Sequence, residues 1–196
     1  MARTQASDYE ERRAAIVEQA ARLFAERGFM GASIADLADA CESSKSLIYH
    51  YYASKEDILF DVMHSHVRAL LDAAENVARS SGNPAEKLRE LTANLMRLYV
   101  GAAARHRVLL NELKQLPEEQ RAKVVAAQRR LVEIVETIVR ELDPHISEPL
   151  ARPSAMLYFG MINWTHTWLD PCGAADPQNI ARLAADIFLD GITKGH

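Results

Sequence analysis

Apolar residues along this chain recur at intervals of three and four and nowhere alternate with polar ones over a strand's length. From about Tyr9 to Arg27, the residues Ile16, Ala20, Leu23 and Phe24 fall on one helical stripe. Gly28 follows where a helix ends on a residue with positive φ. Ser33-Ile-Ala-Asp36 has the form of a capping box that opens a second, short helix, with Leu37, Ala38 and Cys41 as its buried side. Glu42-Ser43 reads as a turn, and Ser44 caps a third helix running to about Tyr52. Ser54-Lys-Glu-Asp57 is a further capping box. The long helix behind it turns Ile58, Leu59, Val62, Met63, Val67, Leu70, Leu71 and Ala74 inward until Ser80-Ser-Gly-Asn83 breaks it.

The second half repeats the theme with other punctuation. Asn83-Pro84-Ala-Glu86 places an N-cap, a proline at the first helical position and an acid at the third. Leu88, Leu91, Leu95, Leu98 and Tyr99 continue at helical spacing. A shorter helix from Arg105 to about Leu116 is stopped by Pro117, and Glu118–Leu142 forms a long one. After the connector Asp143–Pro149, a very apolar helix runs to Leu169. Asp176-Pro177 starts the last helix, with Ile180, Leu183, Ala184, Ile187, Phe188 and Ile192. The prediction is an all-α protein of about nine helices, without a repeat that would make it a solenoid. A three-helix head over residues 1–57 precedes a helical body over 58–196.

Composition narrows the classes. The chain has 196 residues, 48% hydrophobic and 26% charged, which suits a globular core and argues against disorder. There is no long apolar run and no signal-peptide core near the N-terminus, so a soluble cytoplasmic protein is expected. Two cysteines, Cys41 and Cys172, are too few for a disulfide framework and read as reduced thiols. The formal net charge of −4 excludes a protein that coats DNA without regard to sequence.

Two short helices joined by a tight turn, after a longer one, suit either a helix-turn-helix DNA reader or a plain core turn. For the first reading the chemistry is present. Ser44, Lys45 and Ser46 stand at the start of the third helix, where side chains reach base edges. Tyr49, His50 and Tyr51 offer hydroxyl and imidazole groups to phosphate oxygens, and Lys55 can reach a phosphate from the next helix. Leu47 suits either a thymine methyl group or the core. Arg3, Arg12 and Arg13 fit an N-terminal arm on the DNA backbone or a solvated helix face.

The run from Ser33 to Ile58 resembles the DNA-binding signature of the TetR family of repressors. The likeness rests on the Ser44-Lys45 pair, Ile48-Tyr-His-Tyr51, the aromatic Tyr52 and Ser54-Lys-Glu56, with Leu23-Phe24 and Gly28-Phe29 before it. It places Ser33 with the DNA-facing residues above. Three positions depart from the pattern: Glu42 stands at the turn glycine, Ser43 at the turn's apolar anchor and Leu47 at a small polar position. The resemblance implies a homodimer on palindromic double-stranded DNA, with half-sites about 34–36 Å apart.

The last two helices are apolar on more than one side, and Trp168, Ile180, Leu183, Ile187 and Phe188 are candidates for a two-fold interface or for the monomer's own core. Met156–Leu169 mixes large aromatics with polar groups. Phe159, Asn163, Trp164 and Thr167, with Met63, Met96 and Tyr99 as further walls, can line an effector cavity or form an aromatic core. The C-terminal run Asn163-Trp-Thr-His-Thr-Trp168 through Ile192 resembles TetR-type repressors of lipid, steroid and aromatic-acid breakdown. That resemblance implies an acyl-CoA thioester as effector, with Arg97, Arg105 or Arg107 near its phosphates. A regulator of efflux or stress genes that answers to another hydrophobic compound is the alternative, and a helical interaction module a remote one.

Enzyme motifs are lacking. The chain contains no glycine-rich phosphate loop, no G-x-S-x-G and no H-E-x-x-H, so no enzyme, no cofactor and no metal are expected. His64 and His66 are two apart and point to different sides of a helix.

Residues 1–57 carry seven Lys and Arg against ten Asp and Glu, a net of −3. Phosphate contacts must then be few and local. Operator binding should weaken with salt along a log–log slope well shallower than about −10, read by fluorescence anisotropy over a salt series. A slope that steep would contradict a small contact set.

Overall fold

The computed structural model describes residues 2–170 and 173–194, with side chains described from Asp8 to Asp170 and from Gly173 to Ile192. The side chain of Arg3, a candidate arm residue, and the whole of Cys172 lie outside these. Among the described residues every regular element is helical: α1 Ala2–Gly31, α2 Ile34–Ala40, α3 Lys45–Tyr51, α4 Lys55–Arg79, α5 Pro84–Gly101, α6 Ala103–Asn111, α7 Glu118–Leu142, α8 Glu148–Asn163 and α9 Pro177–Lys194. Short 3₁₀ turns follow α6 at Leu113–Gln115 and α8 at Trp164–Thr167. No described helix is long and apolar enough to cross a membrane.

The caps do what their residues suggest. Ser33 Oγ accepts from the Asp36 amide at 3.1 Å while Asp36 Oδ2 accepts from the Ser33 amide at 2.8 Å, closing a reciprocal box. Asn83 and Glu86 do the same at the start of α5, at 2.9 and 3.0 Å. Ser54 Oγ takes the Asp57 amide at 3.1 Å. Gly28 interrupts α1 with φ +72° and ψ 160°, a backbone that side chains oppose, so the chain turns there toward α2.

Three differences from the sequence reading concern ends, the first being that the helix expected from Arg105 to about Leu116 spans Ala103–Asn111 and gives way to a 3₁₀ turn. α1 begins at Ala2 rather than near Tyr9. The apolar helix expected to reach Leu169 stops at Asn163 and tightens into the 3₁₀ turn.

The chain folds as two compact units, one of residues up to Val67 together with Ala104–Val124, the other of Arg68–Ala103 with the residues from Val125 onward. The packing boundary therefore falls inside α4, about ten residues past the expected break after Asp57, and the first unit recruits a distant segment. The reason is visible in α4. Ile58, Leu59, Val62, Met63 and Val67 are all fully buried, so its first three turns are core of the reading head rather than a linker.

In the first unit, Ile16, Val17, Ala20, Leu23 and Phe24 of α1 supply the other side of the core. The recruited segment is fastened by polar bonds. His66 Nε2 and His106 Nδ1 lie 3.2 Å apart in the interior, Arg105 pairs with Glu18 at 3.2 Å, and Gln120 donates to Asp57 at 2.7 Å. In the second unit, α5 lies along α9 and α8 packs on α9. Leu88, Leu91, Leu95, Ala155, Tyr158, Ile162, Ala181, Ala185 and Leu189 fill the space between them.

Glu42 has φ +48°, alone in this region among the described non-glycine residues. A side chain there costs about 1–2 kcal/mol, partly offset in glycine by about 0.5–1 kcal/mol of chain entropy. Glu42→Gly should therefore stabilise by roughly 0.5–1 kcal/mol and raise the melting temperature by about 1–4 °C in differential scanning calorimetry.

Burial, helped by the charge of Arg105, pulls the His66 imidazole from 6.5 down to about 4. The unfolded chain then binds the extra proton between these values, so stability is full above pH 6.5 and falls on acidification toward pH 4. Urea unfolding at pH 5 should show about 1–2 kcal/mol less from this group than at pH 7, a component that His66→Gln removes.

Candidate nucleic-acid interface

α3 has seven residues, Lys45–Tyr51, and its two sides differ. Ile48 is wholly buried and anchors the helix to the core. Lys45, Ser46, Tyr49 and His50 point to solvent, Tyr49 with 54% of its surface free. Ser44 caps the helix by accepting the Leu47 amide at 3.2 Å. Four of the expected contact residues on α3, Lys45, Ser46, Tyr49 and His50, thus share one exposed polar face, as a groove-reading helix requires, while Tyr51 is half-buried.

Leu47 behaves differently. It is half-buried and lines a cleft of about 440 Å³ with Arg12, Ile16 and Gln19 of α1 and with Cys41, Glu42 and Ser43 of the turn. Of its two expected uses, this position favours packing. Burial pushes the Cys41 thiol above its usual range, so it stays protonated, in keeping with a reduced thiol.

Three expected contacts have other commitments. Ser33 Oγ donates its one proton to Asp36 Oδ2 at 2.5 Å, so its hydroxyl belongs to the α2 cap although the residue is exposed. Lys55 Nζ donates to the carbonyls of Phe29 and Ala32 at 2.7 and 2.8 Å, and stands 4.1 Å from the centre of the Phe29 ring. It closes the carbonyls exposed after the Gly28 break, which leaves one proton for a phosphate. Arg13 pairs with Asp61 at 2.8 Å instead of waving as an arm, whereas Arg12 remains exposed.

Sequence reasoning missed the far end of α3. Tyr52 Oη donates to Asp61 Oδ2 at 2.5 Å, under the Arg13 guanidinium at 5.9 Å. Burial, with Asp61 adding, pushes the Tyr52 phenol far above its ordinary value. Tyr9 of α1 lies against Tyr51, ring centres 4.7 Å apart. These pairs are separated by nine to more than forty residues, and no local spacing announces them.

The second unit holds the candidate effector residues. Met96, Tyr99 and Phe159 are buried there. Tyr158 Oη lies 2.9 Å from Thr92 Oγ1, whose proton goes to the Leu88 carbonyl at 2.7 Å, so the tyrosine is the donor. The Thr165 hydroxyl donates to Ile162 O at 2.6 Å, and stands 3.7 Å from the Met96 sulfur. Asn163 is half-buried, with Oδ1 shut from water and unpartnered.

Two expected lining residues do not face the interior: Trp164 is 65% exposed, and Thr167 is exposed with its hydroxyl on Trp164 O at 2.8 Å. The tighter 3₁₀ winding after Asn163 turns them outward. Met63 is buried in the first unit. Arg105 is held by Glu18, Arg97 donates to Asn94 at 3.0 Å, and Arg107 is exposed.

Of the candidate interface residues, Trp168, Leu183 and Ile187 are 54–56% exposed, while Ile180 and Phe188 are half-buried. Met156 and Leu157 of α8, at 53% and 73% exposed, extend this apolar surface and were not foreseen. A shallow groove of about 280 Å³ runs between Leu157 and Met161 of α8 and Ile187, Phe188 and Ile192 of α9.

Comparison with known proteins agrees with this geometry. Residues 16–62 match the family model described as bacterial regulatory proteins, tetR family. Residues 81–192 match that of the tetracyclin repressor-like C-terminal domain. The HTH-type transcriptional repressor KstR2 of Mycobacterium tuberculosis H37Rv is 26% identical over 195 residues, covering 96% of each chain. A TetR-family regulator from Bordetella parapertussis 12822 superposes with a TM-score of 0.87 at 39% identity, over 91% of this chain and 94% of that one. AibR, solved with isovaleryl coenzyme A and operator DNA, superposes with a TM-score of 0.80 at 27% identity, over 90% and 97%.

Two lysines should separate by experiment. Lys45→Ala should lower operator affinity and relax the sequence preference at the base it meets while leaving thermal stability unchanged. Lys55→Met should instead destabilise the fold by about 1–3 kcal/mol in urea titration, since two carbonyls lose a charged donor.

Proposed function

The chain belongs to the TetR family of DNA-binding transcriptional regulators, and on that premise we propose that it is a cytoplasmic homodimeric repressor, released from a palindromic operator by a small hydrophobic effector, an acyl-CoA thioester first among them. The observation that carries the DNA half is the exposed polar face of α3, with Lys45, Ser46, Tyr49 and His50 set on a buried Ile48. One such helix reads one half-site, so two copies are needed.

The exposed apolar surface of α8 and α9 supports pairing of two copies. Leu157, Trp168, Leu183 and Ile187 are each more than half exposed, an apolar surface that a second copy would cover. Two-fold pairing of these helices makes a four-helix bundle.

The effector half rests on two relatives in particular. AibR was solved with isovaleryl coenzyme A, and KstR2 of Mycobacterium tuberculosis is described as a ketosteroid regulator. In the second unit Met96, Phe159, Tyr158 and Thr92 are buried and Asn163 Oδ1 is shut from water without a partner, and these are the residues that an apolar effector with a few polar groups would meet. A second reading, an effector without CoA, is favoured by Arg105, the one partly buried arginine of the three proposed for the phosphates, being already paired with Glu18.

In the mechanism we infer, effector binding shifts α4, which only three residues separate from the end of α3. The two reading helices then no longer match the groove spacing. A coupling of about 1–3 kcal/mol corresponds to a 5–150-fold loss of operator affinity.

The test is a thermal-unfolding panel of short, long-chain, aromatic and steroid-derived CoA thioesters, with the matching free acids and free CoA. A ligand at about 100 times its dissociation constant should stabilise by about 2.7 kcal/mol and weaken operator binding. A shift with thioesters alone supports the CoA reading. A shift with free acids alone supports the second. A ligand that saturates the protein without changing operator affinity overturns the mechanism.

A further inference from the structure

α3 is held at its start by the Ser44 cap and in its middle by Ile48. Its end carries His50, Tyr51 and Tyr52 in succession. Tyr52 is buried and tied to Asp61. Tyr51 is only half-buried, and its ring meets the ring of Tyr9 at 4.7 Å, tilted by 35°, and the edge of His50 at 5.3 Å. Tyr9 and Arg13 are four apart on α1 and so share one face. That face takes hold of both tyrosines, Tyr9 against Tyr51 and Arg13 over Tyr52.

Tyr9 is not a core residue, for 38% of its surface is free. Its ring packs against a side chain that the DNA-binding reading puts on a phosphate. An unrestrained tyrosine loses rotamer freedom when it is fixed on DNA, and one already packed loses less.

Resting on that reading, we propose that Tyr9 is a positioning residue for DNA recognition. Its ring holds Tyr51 in the orientation in which the Tyr51 hydroxyl meets the DNA backbone. The contact works through the ring face, so the Tyr9 hydroxyl is dispensable. It joins the N-terminal half of α1 to the reading helix across forty-two positions of chain, and so makes operator affinity depend on a residue outside the helix-turn-helix.

The probe is a duplex selected by the wild-type chain from a random-sequence library. If the wild type selects no sequence, the reading on which this rests fails first, and visibly so. With the selected duplex, Tyr9→Ala should weaken binding about three- to ten-fold, the worth of one side chain to be immobilised anew. Its melting temperature should stay near that of the wild type. Tyr9→Phe, which keeps the ring, should bind like the wild type. Tyr51→Ala should also weaken binding, and Tyr9→Ala should then add nothing to it. The proposal is overturned if Tyr9→Phe is as weak as Tyr9→Ala, since the hydroxyl is then the contact. It is equally overturned if Tyr9→Ala binds normally, or if its loss adds in full to that of Tyr51→Ala.

Discussion

A seven-residue helix makes too few internal hydrogen bonds to persist alone in water, and α3 must nonetheless hold its side chains steady enough to read DNA. Much of the first unit answers that requirement. Ile48 contributes roughly 1.5–3 kcal/mol by leaving water. Ser44 closes one end. The other end is closed from outside the helix, by Asp61 of α4 and by Tyr9 and Arg13 of α1. The reading helix is therefore rigid because its neighbours are, and those neighbours come from two separate stretches of chain.

The same constraint explains why the first unit reaches beyond the helix-turn-helix. α4 buries Ile58, Leu59, Val62, Met63 and Val67, and the segment Ala104–Val124 belongs to the same compact unit and bonds to α4 and α1. The attachments there are specific as well as apolar. The facing imidazoles of His66 and His106, the Arg105–Glu18 pair and the Gln120–Asp57 bond each fix a register that greasy contact alone would leave loose. The His66 imidazole, held neutral by burial, brings no charge that must be desolvated.

In the second unit the opposite tension appears. α9 buries Ala181, Ala184, Ala185 and Leu189 but leaves Leu183 and Ile187 in water, and α8 buries Tyr158 and Ile162 while exposing Met156 and Leu157. A helix apolar on two faces is half finished in a monomer. Small alanines on the inner face let α9 approach α5 closely, and the larger side chains are kept for the outer one.

Local chemistry was legible from the sequence alone: the caps at Ser33, Ser44, Ser54 and Asn83, the break at Gly28 and the exposed face of α3 all follow from residues within four positions of one another. The inward stripe of α4 was equally legible, since periodicity alone says which residues share a face. Only the tertiary structure decided the rest. That Lys55 serves two carbonyls, that Arg13 belongs to Asp61, that Trp164 and Thr167 turn outward and that the core boundary falls at Val67 each depend on partners or winding that spacing does not encode. A side chain's reach is short and its partner can lie anywhere in the chain, so periodicity reveals the face a residue occupies, and packing alone reveals what meets it there.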